Sequence, residues 1–189
     1  MKRTLIFICF VVFASLSVDA QQTPQFSQNM FNKLANNPGF AGSMEAICAT
    51  ALHRQQWIGF GDGRPVTTNL SVDAGIPAIY GGVGLNIVNE TIGQYDNLGL
   101  QLSYAYRTEL GNGQVGTGIS LGMYQSSLDG SSLSPASSGD PALPTADAQG
   151  SALDIGFGIY YNNEDTYIGV SSSNITEPTI EWENATTQK

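Results

Sequence analysis

The sequence predicts an all-β chain: an antiparallel up-and-down transmembrane β-barrel, of which about seven strands are present, preceded by a short N-terminal helix. Three observations carry that reading. Between Leu98 and Arg107 every second residue is apolar (Leu98, Leu100, Leu102, Tyr104, Tyr106), and the residues between them are Gly99, Gln101, Ser103, Ala105 and Arg107. A helix of period 3.6 cannot segregate that pattern, whereas a strand sorts it onto two faces. The alternation recurs in further segments of about 9–14 residues, near the ~9–11 that cross a bilayer when tilted and longer than the ~5–6 of a mean soluble strand. Finally, the chain opens with a secretory leader, so the apolar face is expected to meet lipid.

In that leader, Lys2 and Arg3 give a positive start, Leu5 to Phe13 an apolar stretch, and Val18-Asp19-Ala20 small residues ahead of a cut before Gln21. Its apolar run is about half of the ~20 residues a transmembrane helix needs. The expected organisation is therefore a signal peptide over residues 1–20, a periplasmic N-terminal helical segment over 21–43, and the N-terminal part of an outer-membrane β-barrel over 44–189. Cys9 leaves with the leader and Cys48 alone remains, so no disulfide forms within the mature chain. The 189 residues carry 16 acidic and 7 basic side chains, a net charge of −9. With no cluster of Lys and Arg, nucleic acid is excluded as a partner.

Each mature element has its own signal. Thr23 can N-cap a helix, Pro24 suits its first position, and Phe26, Met30, Phe31 and Leu34 share a face up to Ala35. Asn36-Asn37-Pro38-Gly39 then reads as a stop. A first strand spans about Glu45 to Ile58 with blurred phase, because Leu52 falls among the polar positions. The second sets Val66, Thr68, Leu70, Val72, Ala74 and Ile76 against Thr67, Asn69, Ser71, Asp73 and Gly75, and Pro77 ends it. The third sets Val83, Leu85 and Ile87 against Gly84 and Asn86; the fourth is the Leu98 to Arg107 run. The fifth sets Val115, Thr117, Ile119, Leu121 and Met123 against Gly116, Gly118, Ser120 and Gly122. The sixth and seventh follow from Leu153 to Ile159 and from Thr166 to Ser171, joined by Asn162-Asn163-Glu164-Asp165.

Barrels of the outer membrane alternate short periplasmic turns with longer outer loops. Connections 59–64, 90–96 and 126–150 are expected outside, and Pro77 to Gly82, Gly111-Asn112-Gly113 and Asn162 to Asp165 inside. Tyr95, Tyr104, Tyr106, Trp57, Tyr160 and Tyr161 lie near strand ends, where an interfacial girdle places aromatics. No closing strand is legible past Ser173, and seven strands do not close a bacterial barrel, so the chain is expected to be an incomplete barrel.

The stretch Pro24-Gln25-Phe26-Ser27-Gln28-Asn29-Met30-Phe31-Asn32, then Asn37-Pro38-Gly39-Phe40-Ala41-Gly42-Ser43 and His53-Arg54-Gln55-Gln56-Trp57-Ile58-Gly59, resembles the PorP/SprF family of type IX secretion system outer-membrane proteins. The Gly99 to Arg107 run fits as well; Lys33 departs, standing where many members carry proline. The resemblance implies an outer-membrane barrel, not an enzyme, that assists secretion or surface attachment of large proteins such as gliding-motility adhesins. The partners implied are outer-membrane lipid, other secretion-system proteins and a large secreted client, with no small-molecule substrate. Alternation alone would also suit a small-solute porin, and the acidic Ser/Gly/Asn-rich surface a soluble adhesive domain.

No catalytic, cofactor-binding or metal residue is assigned. Gly118-Ile119-Ser120-Leu121-Gly122 matches a nucleophile elbow, but the histidine of that triad follows the serine and His53, the sole histidine, precedes it. Cys48 and His53 lie on opposite strand faces and are too few to hold zinc. Asp62, Asp129, Asp140 and Asp147 fall in expected outer loops with no calcium-loop spacing. Arg107 and Arg54 are expected to line the lumen with Asp73, Asp154 or Gln101. The glycines of the inward row (Gly84, Gly99, Gly116, Gly118, Gly122, Gly156, Gly158) would let the N-terminal helix plug the barrel or rest across its periplasmic mouth, burying Phe26, Met30 and Phe31; the alternative is that this segment docks a periplasmic secretion partner.

Overall fold

A computed structural model describes residues 29–131, 133, 147–176 and 181–183. The leader, Thr23 and Phe26 of the expected helix, and Asp140 lie outside those residues. The described chain is an antiparallel meander with strands β1 (Cys48–Gln55), β2 (Val66–Ile76), β3 (Gly81–Ile92), β4 (Tyr95–Leu110), β5 (Gly113–Leu128), β6 (Ala148–Asn162) and β7 (Tyr167–Ser172). They hydrogen-bond in chain order into a half-barrel, each strand antiparallel to the next. No helix of the described residues is long and apolar enough to cross a membrane.

Burial is inverted relative to a soluble protein. On β2, Thr67, Asn69, Ser71 and Asp73 are buried, whereas Leu70 between them is exposed. On β4, Ser103 and Ala105 are buried while Leu102 is 62 % exposed; on β5, Ser120 is buried while Ile119 and Leu121 are exposed. Water would penalise such an arrangement by ~25 cal/mol for each Å² of apolar surface left bare, but hydrocarbon does not. The curved sheet turns its polar and glycine face inward and its Leu, Ile and Val face outward.

The register aligns these outer rows. Leu70, Ile87, Leu100, Met123 and Leu153 form one line across five strands, and the line beyond it toward the longest connection is mostly polar: Thr68, Asn89, Leu98, Gln125 and Ser151. Toward the other end, Ile76, Tyr106, Thr117, Ile159 and Val170 lie on a shared line that also contains Gly81. From Leu100 to Tyr106 is ~20 Å of strand, and the next line adds Tyr161 and Ile168. An apolar band of this height fits one bilayer core.

Several expectations are corrected. The Thr23 to Ala35 helix, in its described part, is a 3₁₀ turn at Asn29–Phe31 followed by a one-turn helix α1 (Lys33–Asn36), the break falling at Asn32. The first strand is Cys48–Gln55, shorter than the Glu45 to Ile58 expected, because the chain turns left-handed at Glu45 and Trp57. The β3–β4 connection is a two-residue turn at Gly93-Gln94, as tight as Gly111-Asn112 at the opposite end, so connection length does not alternate as expected. Both turns place glycine first with positive φ, the geometry that a two-residue hairpin led by glycine requires. Past Ser173 a further strand, β8 (Glu181–Glu183), pairs with the Gln149–Ser151 stretch of β6. Of the expected girdle residues, Tyr104, Tyr106 and Tyr161 face outward, but Tyr160 faces inward and is buried, and Tyr95 shares the inward row of β4.

Candidate functional site: an N-terminal strap on the inner face

What occupies the inner face is the segment 32–45, and its path follows from local chemistry. Pro38 opens a 3₁₀ turn (Pro38–Phe40), where its missing N–H costs nothing, and Asn37 caps it, Oδ1 accepting from the Gly39 N–H at 2.8 Å. Successive turns follow: Phe40 N–H donates to Asn37 O, Ala41 N–H to Pro38 O, Ser43 N–H to Phe40 O and Glu45 N–H to Gly42 O. Gly42, at φ 71°, bends the chain where a side chain would be strained.

The wall beneath is shaped to receive it. One register line runs Gly75, Gly82, Ala105, Gly118, Gly158 and Ser171 across six strands, all small residues. The strap crosses this line with its backbone nearly on the sheet. A Cβ on Gly118 would overlap the Pro38–Gly39 peptide, and one on Gly82 would overlap Gly42 and the Ala41 carbonyl. The seat therefore requires glycine at these two positions because main chain meets main chain.

Polar groups fasten the strap. Arg107 Nη1 donates to the Gly39 carbonyl at 3.2 Å, Nη2 to Asn162 Oδ1 at 2.7 Å and Nε to Gln114 Oε1 at 3.3 Å, while Gln114 Nε2 donates to Glu45 Oε1 at 2.7 Å. Gly42 N–H donates to Asp73 Oδ2, Asn37 Nδ2 to the Ile159 carbonyl, and Ser171 Oγ to the Asn36 carbonyl. At one side Lys33 sits 3.8 Å from the Tyr167 ring centroid and within 3.5 Å of the Tyr160 hydroxyl, and Phe40 meets Tyr160 edge-on at 5.3 Å. Leu34, Ala41 and Ala105, flanked by Phe40, form the small apolar core between strap and wall.

Met30 and Phe31, expected to be buried by the plugging helix, are each 59 % exposed. The chain turns at Asn32; Leu34 is buried against Gly84, and the residues whose backbone lies closest on the wall are those of the Asn37 to Gly42 stretch, whose sequence reads as a helix stop. The signal that could have located them is their composition: small and turn-forming residues match a glycine wall better than Met and Phe do.

Of the inward residues singled out from the sequence, Arg107 and Asp73 hold the strap, whereas Gln101 and Asp154 lie on a line with Ser71 and Asn86. There Gln101 Nε2 donates to Ser120 Oγ and Asn69 Nδ2 to Asn86 Oδ1. Arg54 takes the same face, opposite Thr67. Ser120 is buried in mid-strand, and β5 runs on past it to Leu128. His53 faces outward on β1, bonded to Thr68 Oγ1 and Gln55, and Cys48 faces inward. Asp129 and Asp147 both bond Ser131, and Asp62 stands apart in the β1–β2 loop. Among the described residues no group of three or more His, Cys, Asp or Glu could hold a metal ion.

Among known proteins, a family model described as type IX secretion system membrane protein PorP/SprF matches residues 18–189. No curated protein and no solved structure matches the chain.

Proposed function

Because the chain belongs to the PorP/SprF family of type IX secretion system membrane proteins, we propose that it is an outer-membrane β-barrel component. In this role it assists the secretion or surface attachment of large proteins, gliding-motility adhesins among them, and performs no catalysis itself. The single observation that supports the membrane setting is the inverted burial, with Leu102, Leu121, Leu153 and Val170 bare on the outer face and Asn69, Ser71 and Ser120 enclosed. Outer-membrane lipid covers the first set, and other secretion components and the client protein are its protein partners. The strap lying across the inner face favours this reading over that of a permanently open solute pore.

Two measurements test it. Fractionation of cells is expected to place the protein in the outer membrane, and an in-frame deletion is expected to abolish surface display of one large secreted protein while leaving small-solute uptake unchanged. Recovery of the protein from detergent-free medium, or a deletion that alters only solute uptake, would overturn the proposal.

A further inference from the structure

At least six of the strap's thirteen backbone N–H groups find acceptors within it. Asn37, Phe40, Ala41, Ser43 and Glu45 donate their N–H groups within it, Gly39 donates to the Asn37 side chain, and Gly42 donates to the wall at Asp73. A segment that lifts away whole uncovers few donors of its own. Its apolar hold is confined to Leu34, Ala41 and Phe40 against Ala105, Gly84 and the Tyr160 ring, since the register line of glycine, alanine and serine beneath it offers little hydrocarbon. Both ends also carry a strained balance of polar groups: the amide of Asn32, fully buried, and the hydroxyl of Ser43 have no partner among the described residues. Water would satisfy them on departure. The wall is different, because β4 and β5 are zipped along sixteen paired positions.

We propose that residues 32–45 leave the inner face as one preformed unit, a releasable strap across the barrel end that carries the β2–β3, β4–β5 and β6–β7 turns. Release bares the Gly75, Gly82, Ala105, Gly118, Gly158 and Ser171 line. Arg107 is the latch, since its guanidinium ties the Gly39 carbonyl to Asn162 and Gln114. The role of the bared surface in handling a client rests on the secretion reading above; the release itself does not.

The test uses the full chain in its native membrane, in a Cys48→Ser background, with an aqueous maleimide as probe. Ala41→Cys reports the strap, Leu34→Cys is a second reporter in case the first perturbs packing, and Ser126→Cys reports the far end of the wall, where Ser126 is buried against Asn97. Strap reporters are expected to label about tenfold faster than Ser126→Cys, and Arg107→Ala to speed them about a further tenfold without changing the wall reporter. Asn37→Ala serves in place of Arg107→Ala if that variant does not assemble. Equal labelling of strap and wall, or equal acceleration of both, overturns the release. Stapling the strap through Asn36→Cys and Ser171→Cys, at the site of the Ser171 bond to the Asn36 carbonyl, is expected to stop client display until reductant is added. A staple that closes and leaves display intact overturns the client-handling role, while the labelling result still decides the release.

Discussion

Asn37 fills the space that a Cβ on Gly158 would take: its Oδ1 and Cγ stand where that atom would be, and its Nδ2 donates to the neighbouring Ile159 carbonyl at 3.0 Å. The same side chain caps Gly39 on the strap. One amide thus joins the turn to the wall, and it can do so because β6 carries no side chain at position 158.

Asn37 should be sensitive to isosteric change. Asn37→Ala loses the cap and the wall bond, a cost of about 1–2 kcal/mol. Asn37→Asp keeps the acceptor for Gly39 but sets a carboxylate against the Ile159 and Val170 carbonyls, so it is expected to loosen the strap at least as much. Limited proteolysis within residues 32–45 measures both; an aspartate variant as resistant as the parent would contradict this account of the contact.

Two glycines of the inner row should respond unequally. Gly118→Val drives a branched side chain into Pro38 and is expected to expel the strap or cost about 1–3 kcal/mol of stability. At Gly122 an added Cβ meets Asp154 Cβ and the Leu100 carbonyl at 3.6 Å, ordinary contact, so Gly122→Ala should stay within about 0.5 kcal/mol of the parent. Urea titration of the protein refolded in lipid vesicles compares them, and equal losses would remove the main-chain approach as the reason for glycine at 118.

Lipid contact makes the outer face depth-sensitive. Leu102→Arg, in the middle of the apolar band, is expected to cost about 2–4 kcal/mol, and Asn89→Arg, on the polar line beside Asp96, about 0–1 kcal/mol. Refolding titrations in vesicles give both values. Small, matching costs would mean that something other than hydrocarbon covers Leu102.

Arginine at 107 should resist replacement by lysine. Its three nitrogens address Gly39, Asn162 and Gln114 in one plane, and a lysine ammonium cannot reproduce that fork. Arg107→Lys is therefore expected to expose the strap to protease nearly as much as Arg107→Ala. Full protection in the lysine variant would reduce the latch to a simple positive charge.

The strands and their faces were legible because alternation acts over neighbouring residues. Val66 to Ile76 reads as a strand from its own composition, and Thr67, Asn69, Ser71 and Asp73 fall on one face whatever they pair with. β8 was not legible, since three residues are too few to show a period. Nor was the break at Asn32, because the apolar spacing of Met30, Phe31 and Leu34 is equally compatible with one continuous helix and with two short turns.

By itself the sequence determined which residues form strands and which of their faces is apolar, since side-chain period and turn chemistry are local properties. Only the tertiary structure decided that Gly75, Gly82, Ala105, Gly118 and Gly158 stand on one line and that Asn37 to Gly42 lie across it. The reason is register. Alternation fixes a residue's face but not its partner on the next strand, so a seat assembled from several strands exists only once they are paired.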